Sequence, residues 1–189
     1  MSSKLVKETF LLKLAPDLER ELPIVTLSGT NKEIASFVML GDVELNHKCA
    51  KLLIDKIRSK GLLEAFDMVV AIEAKGIALT HECAYILNLP YYVVIRKALK
   101  KYMVQPITVP VESITSFGEQ TIVLNGLDAE RIQGKRVCII EDVIATGGSV
   151  RAACKLIKKA GGEVTVIATV LVKGGFDDPR LVYYHKPPI

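Results

Sequence analysis

Apolar positions along this 189-residue chain follow two rhythms. Runs with almost no polar interruption occupy 67–72 (DMVVAI), 91–95 (YYVVI), 120–124 (QTIVL), 136–140 (RVCII) and 164–172 (VTVIATVLV). Four or five short runs of this kind, rich in β-branched and aromatic residues, read as strands buried on both faces. Between several of them the period lengthens to three and four. Val43, His47, Ala50, Ile54 and Ile57 form one such stripe, and Ile77, His81 and Ala84 a second. Val150, Ala153, Ile157 and Ala160 form a third, stopped by Gly161-Gly162. Strand, helix, strand in this order predicts an α/β fold, a parallel twisted sheet with helices on both faces and a Rossmann-like core. Residues 36–173 are expected to form the core. The ends, 1–35 and 174–189, are less periodic, carry most of the prolines and are expected to fold together as a small cap.

Open parallel sheets place ligands beyond the carboxyl ends of their strands. That rule singles out residues 73–76, 96–101 and 141–149. The last of these sits in VCIIEDVIATGGSV (137–150), where an oily strand runs into two adjacent acids. With the strand ending at Ile140, Glu141 and Asp142 fall on the sheet's carboxyl edge. They repel each other there and gain little from packing, but they suit a pair of hydroxyls on adjacent carbons, or a hard cation. Ala145, Thr146, Gly147, Gly148 and Ser149 follow and open a helix. Glycines let backbone N–H groups crowd an anion, the hydroxyls add donors and the helix terminus adds partial positive charge. Diol acceptors followed by a phosphate cradle describe a ribose 5-phosphate. An acidic turn with a glycine-rich helix start is the bland alternative. A nucleoside-triphosphate P-loop is excluded, because no Lys follows the glycines.

Composition narrows the class of ligand. The formal net charge is +4, too mild to indicate nucleic acid but suited to a small anion. No apolar run approaches the roughly 18 residues that span a membrane, and MSSKLVKETF lacks the apolar stretch of a signal peptide. A cytoplasmic protein is expected. Cys49, Cys83, Cys138 and Cys154 form no C-x-x-C pair and, with three histidines, match no zinc spacing. Buried free thiols follow.

VCIIEDVIATGGS closely resembles the 5-phosphoribosyl-1-pyrophosphate (PRPP) motif of type I phosphoribosyltransferases, and the likeness extends over roughly residues 35–172. The resemblance implies that Glu141 and Asp142 hold the ribose 2′- and 3′-hydroxyls and act in catalysis, and that residues 145–149 hold the 5′-phosphate. AIEAKGIAL (71–79) looks like the family's pyrophosphate loop, with Glu73, Ala74, Lys75 and Gly76 at the anion and a cis peptide joining Ala74 and Lys75. VVIRKALKKYM (93–103) adds four positive charges within six residues. A solvated face is the ordinary meaning of such a run, but it also looks like the family's lid. Arg96 and Lys97 would then approach the pyrophosphate, followed by Lys100 and Lys101. SFGEQTIVLNG (116–126) resembles the strand returning from that lid. Val143, Ile144 and Lys173 are implied at the base.

The activity implied is a Mg²⁺-dependent displacement of pyrophosphate from PRPP by a purine base, giving a nucleoside 5′-monophosphate. Mg²⁺ is expected mainly through PRPP, with Asp142 as the candidate protein ligand. LPIV (22–25), FVMLGDVEL (37–45) and IVLNGL resemble the adenine and the hypoxanthine/guanine branches. Lys173 ends VLVK where 6-oxopurine enzymes carry a donor to the ring oxygen, though a solvated strand end reads equally well. Phe176, Tyr183 and Tyr184 are candidates to stack on the base. His47 and His81 are expected to pack or hydrogen-bond on helices. A homodimer fits the resemblance. The rival of another class is a PRPP-sensing transcriptional regulator with the same fold and no catalysis, yet no clear helix-turn-helix precedes the core.

Overall fold

The computed structural model describes residues 8–111 and 120–187. Three strands come first, β1 (Thr9–Ala15), β2 (Leu18–Thr26) and β3 (Glu33–Ala35), then α1 (Val43–Ser59), β4 (Met68–Ile72), α2 (Gly76–Ile86) and β5 (Val93–Ile95). Next come β6 (Ile107–Val111), β7 (Gln120–Leu124), α3 (Gly126–Ile132), β8 (Arg136–Ile144), α4 (Gly148–Lys159), β9 (Glu163–Val172) and β10 (Leu181–His185). Four of the five apolar runs become β4, β5, β8 and β9 of a five-stranded sheet in the order β10-β9-β8-β4-β5, each neighbouring pair parallel. Helices α1 and α2 pack on one face with Val69, Cys138, Ile140 and Val166. Helices α3 and α4 cover the other with Val70, Ile139 and Ile167. The α/β fold expected from the two rhythms is the one observed.

The topology positions the site. From β4 the chain crosses through α2 to β5, on one side; from β8 it crosses through α4 to β9, on the other. Neighbouring strands β4 and β8 therefore send their following loops to opposite faces. A crevice opens between their carboxyl ends, where an open α/β sheet binds ligands.

Three expectations are corrected. QTIVL does not join the parallel sheet: β7 pairs antiparallel with β6, from Ile107↔Leu124 to Val111↔Gln120. A buried apolar run specifies a strand but not its direction, and β6 and β7 are close enough in sequence to pair as a hairpin. The hairpin is tied to the end of β5 by an isolated bridge between Arg96 and Val123. Second, the strand carrying the acid pair continues to Ile144, because the long neighbour β9 extends the ladder to Ile144↔Val172. Third, the C-terminal segment does not fold wholly into the cap. β10 takes the edge of the main sheet beside β9, where burial of Val182 holds it. The lid residues 112–119, and with them the start of the SFGEQTIVLNG stretch, lie outside the described residues.

The N-terminal cap is an antiparallel sheet, β1-β2-β3. It alternates cleanly, with Leu12, Leu14, Leu18 and Leu22 buried in the core shared with α1. Polar contacts fix its angle. Arg20 reaches Asp42 at 2.8 Å and Glu44 at 2.9 Å, while Asp42 accepts from the Leu45 N–H as the N-cap of α1. Tyr184 of β10 donates to the Leu14 carbonyl at 2.8 Å. Cys49, Cys83 and Cys138 are buried, and burial pushes their thiols up, Cys49 to about 12. His47 meets Glu82 at 2.9 Å, and His81 lies edge-on against Tyr92. Among the described residues no helix is long and apolar enough to cross a membrane.

Asp42 caps a helix and anchors the cap sheet through one carboxylate. Asp42→Ala should therefore lower stability by about 1–2 kcal/mol, measured by urea unfolding. Arg20→Ala should lower it by less, because it leaves the helix cap in place.

Candidate functional site

Pairing explains why the acid pair stands clear. β4 accompanies β8 only as far as Ala71↔Ile140. Beyond that rung β8 is held by β9 alone, with Glu141 opposite Thr169, so the β4 side of residues 141–144 faces the crevice. Asp142 is fully buried, and its two carboxylate oxygens lack a hydrogen-bond donor. Lys75 Nζ lies 2.8 Å from Asp142 Oδ2, a contact ion pair out of hydrogen-bond alignment, so the charge is balanced while the acceptor stays open. Glu141 Oε1 is likewise buried and unpaired. Burial and then the neighbouring Asp142 push the Glu141 carboxyl up to about 8, against the pull of Lys75 and Lys97.

The loop after β4 is shaped to meet this pair. Helix α2 begins at Gly76, where a side chain would meet Glu141 Oε1 at 2.7 Å and the Ile140 carbonyl at 3.1 Å. Glycine is what lets the two loops touch. The cis peptide joins Glu73 and Ala74, one bond earlier than expected. Glu73 still donates its N–H to the Ile95 carbonyl as the last rung beside β5, so the backbone turns away directly after it. The Glu73 side chain turns to the basic residues after β5. It accepts from the Lys97 N–H at 2.8 Å and pairs with Arg96 at 3.0 Å. A carboxylate would repel pyrophosphate; here it holds the basic pair.

Arg96 is fixed further by backbone bonds in both directions with Val123, and its Nε is buried without an acceptor. Lys97 and Ser149 line one cavity of about 140 Å³ together with Val111 and Thr121. The segment after β5 and the loop after β8 are thus neighbours. A larger cavity of about 450 Å³ opens beside Ala74, between α1 and α2, with mainly apolar walls such as Leu40, Val43 and Ile77. The smaller one joins Lys97 to the turn that opens α4, and we place the chemistry on that side of the crevice. Lys100 closes a turn with Met103. No hydrogen bond or ion pair among the described residues ties Lys100 or Lys101 to the crevice.

Residues 145–149 form the turn from β8 into α4. Gly147 is the helix N-cap at φ +76°, with no side chain capping the first turn, so the leading N–H groups of α4 remain free for an anion. The segment after β9 supports the turn from below. Lys173 donates its N–H to the Ile144 carbonyl at 2.7 Å, and the Phe176 ring abuts Gly147. Five buried side-chain polar atoms among the described residues lack a partner, and four belong to Arg96, Glu141 and Asp142. Buried polar groups are almost always satisfied, so this concentration makes the crevice the candidate site for a polar ligand.

A phosphoribosyl transferase domain matches residues 43–184. The chain belongs to the type I phosphoribosyltransferase family, in its purine branch. HGPRTase-like protein 3 of Haloterrigena turkmenica is 35% identical over 161 residues, covering 85% of this chain and 81% of that one. The hypoxanthine/guanine phosphoribosyltransferase of Methanothermus fervidus is 34% identical over 122 residues, 65% of this chain and 60% of its own length. Among solved structures, adenine phosphoribosyltransferase from Thermoanaerobacter pseudethanolicus superposes with a TM-score of 0.68 at 23% identity, covering 87% of this chain and 95% of that one. The Trypanosoma brucei adenine phosphoribosyltransferase, solved with AMP, pyrophosphate and ribose-5-phosphate, gives 0.62 at 21% identity, covering 88% and 76%.

For a phosphoribosyltransferase the remaining placements are informative. Lys173 turns back to the cap, its Nζ donating to the Ala35 carbonyl at 2.8 Å. Burial, then Lys75, lowers its pKa. Ile144 is buried and Val143 half-buried. Of the three aromatic candidates, Phe176 is 8% exposed beneath the turn at Gly147, which leaves no open face for a base. Tyr184 is bound to β1, and Tyr183 stands 39% exposed on the edge strand. Arg151 escaped the sequence reading, yet it donates to the Thr146 carbonyl at 2.6 Å. The available signal was its place one helical turn after Gly147.

Between its ordinary value of 4.5 and about 8, Glu141 keeps a proton in the folded protein that the unfolded chain has released. Stability therefore falls as pH rises through that window. Glu141→Gln should flatten this decline in thermal melts of the free protein while lowering turnover at least tenfold. Gly76→Ala should lower turnover comparably without a matching loss of stability.

Proposed function

We propose that this phosphoribosyltransferase transfers the 5-phosphoribosyl group of PRPP to a 6-oxopurine, hypoxanthine or guanine, releasing pyrophosphate and a nucleoside 5′-monophosphate in purine salvage. The observation that carries the proposal is the set of orphaned buried atoms on Arg96, Glu141 and Asp142, flanked by Lys75 and Lys97 and followed by the α4 phosphate turn. The relatives that are 34–35% identical bear hypoxanthine/guanine or HGPRTase names. The two adenine phosphoribosyltransferase structures described above, at 23% and 21% identity, speak for the fold alone, and the one from Rhodothermus marinus reaches 28%, still below the hypoxanthine/guanine relatives.

In the reaction a ring nitrogen of the base attacks ribose C1 as the C1–O bond to pyrophosphate breaks, and the base gives up an N–H proton. Positive charge develops on the ribose. Glu141 and Asp142 accept hydrogen bonds from the two ribose hydroxyls, and Asp142, paired with Lys75, places negative charge beside the sugar. Lys75, Arg96 and Lys97 supply positive charge where the leaving oxygens gather. These charges are fixed before substrate arrives, so little reorganisation accompanies the step, and geometry does the rest. No covalent nucleophile is required.

Mg²⁺ fits the donors present. Asp142 offers hard carboxylate oxygens free of hydrogen bonds. The cation would be held mainly by PRPP, with Asp142 as its protein ligand. When bound it would neutralise charge on the leaving group.

Lys173 is the proposed discriminator of bases. One of its protons goes to Ala35, and an ammonium has two more. A purine O6 can accept one, whereas the adenine amino group offers no acceptor there. Val143 and Ile144 are assigned to the apolar wall of the base site. The cap formed by the N-terminal strands would cover the base, with the Ala35 end of β3 already bound to Lys173.

Pyrophosphate release should be measured with PRPP, Mg²⁺ and adenine, hypoxanthine, guanine or xanthine. Turnover is expected with hypoxanthine or guanine. Lys173→Met should lower kcat/KM for that base about 10- to 100-fold, as expected for loss of one hydrogen bond from a charged donor. Turnover with adenine alone would refute the role of Lys173. PRPP binding with no turnover on any base would favour a regulator.

A further inference from the structure

The turn at Thr146-Gly147 is held by more than its own sequence. Arg151 Nη2 donates to the Thr146 carbonyl at 2.6 Å, and the Arg151 backbone N–H bonds the Gly147 carbonyl at 2.8 Å. The same guanidinium lies over the Phe176 ring, its central carbon 5.8 Å from the ring centroid. A side-chain atom added at Gly147 would run into Phe176 and come within 2.9 Å of Arg151 Nη1. A Cβ added at Gly174, which has φ +70°, would lie 3.4 Å from the Ala145 carbonyl oxygen, so the segment leading to Phe176 passes beside the turn. Arg151 itself is exposed. It is neither part of the core nor bound to the acid pair.

From this arrangement we infer that Arg151 and Phe176 are positioning residues that preset the Thr146–Gly147 peptide for a phosphate dianion. The inference rests on the reading of residues 145–149 as the 5′-phosphate loop. In a trans peptide the carbonyl and the following N–H point in opposite directions. An arginine holding the Thr146 carbonyl on its own side therefore turns the Gly147 N–H the other way. Phe176 closes the space beneath Gly147 and gives the guanidinium a flat surface, so the peptide cannot flip without displacing both. A loop whose donors already point into the cradle binds its anion without first ordering it. The phosphate is not consumed in the reaction, so this preorganisation acts on ground state and transition state alike and should appear in KM rather than kcat.

The test uses the full chain and two ligands that probe different loops, ribose 5-phosphate and pyrophosphate, by calorimetry with Mg²⁺ present, together with PRPP kinetics. Arg151→Ala is expected to weaken ribose 5-phosphate about tenfold and to raise the PRPP KM similarly. Pyrophosphate affinity, kcat and the thermal midpoint should stay near wild type. Arg151→Lys, which keeps a donor and a charge, should recover part of the loss. Phe176→Leu, which keeps apolar volume but removes the flat ring, should weaken ribose 5-phosphate about threefold. Equal losses for both ligands, or losses that track a lowered midpoint, would overturn the inference, as would unchanged ribose 5-phosphate affinity in Arg151→Ala. Failure of the wild type to bind ribose 5-phosphate while still binding pyrophosphate would overturn the assignment of the phosphate loop itself.

Discussion

Two adjacent carboxylates withdrawn from water are the most costly feature of this fold, and much of the surrounding structure serves to sustain them. A charge moved out of water without compensation loses far more solvation than any single contact restores. Glu141 responds by holding its proton to about pH 8. Asp142, wholly buried, is balanced by the Lys75 ammonium at 2.8 Å. The compensation is incomplete by design: the charges are matched while the hydrogen-bonding capacity of the oxygens is left open. The open oxygens can accept hydrogen bonds from a ligand that carries hydroxyl groups.

That arrangement requires two loops to meet closely, and the sheet makes the meeting possible. Because β4 and β8 are neighbours whose connections leave toward opposite faces, their ends separate just where β8 still has β9 for support. Gly76 then lets the start of α2 lie against Glu141. Glu73, one turn earlier, holds Arg96 and Lys97 at the end of β5. Three consecutive strand ends are thus linked by charge across a few ångströms, with acids and bases alternating from β5 through β4 to β8. Each basic group partly offsets the acid beside it, and each remains near enough to the crevice to meet an anion.

Around this centre, the layers differ in how they are secured. The main sheet is held by apolar burial on both faces. The N-terminal cap combines an inward leucine stripe with directional polar ties, Arg20 to Asp42 and Glu44, Tyr184 to Leu14 and Lys173 to Ala35. The β6–β7 hairpin is attached by backbone bonds at Arg96 and Val123. A rigid scaffold bearing separately anchored cap and hairpin suits a site that must surround a charged substrate and release charged products.

The chain's own pattern determined the inner strands, the three long helices, the α/β class and the motif at residues 137–150, because burial on two faces, helical period and glycine spacing are local properties. The cap strands were written just as locally, in the alternation of Leu12 and Leu14 with Lys13, but short segments rich in charge and proline hide that period. What the tertiary structure decided was every relation between distant segments. Whether QTIVL ran parallel or folded back depended on which neighbour was within reach. The length of the acid-bearing strand depended on how far β9 accompanied it. The role of Glu73 depended on where Arg96 arrived, and Phe176 came to lie under a glycine some thirty residues earlier. None of these follows from spacing, because charge pairing and steric fit act across space and the sequence records only order.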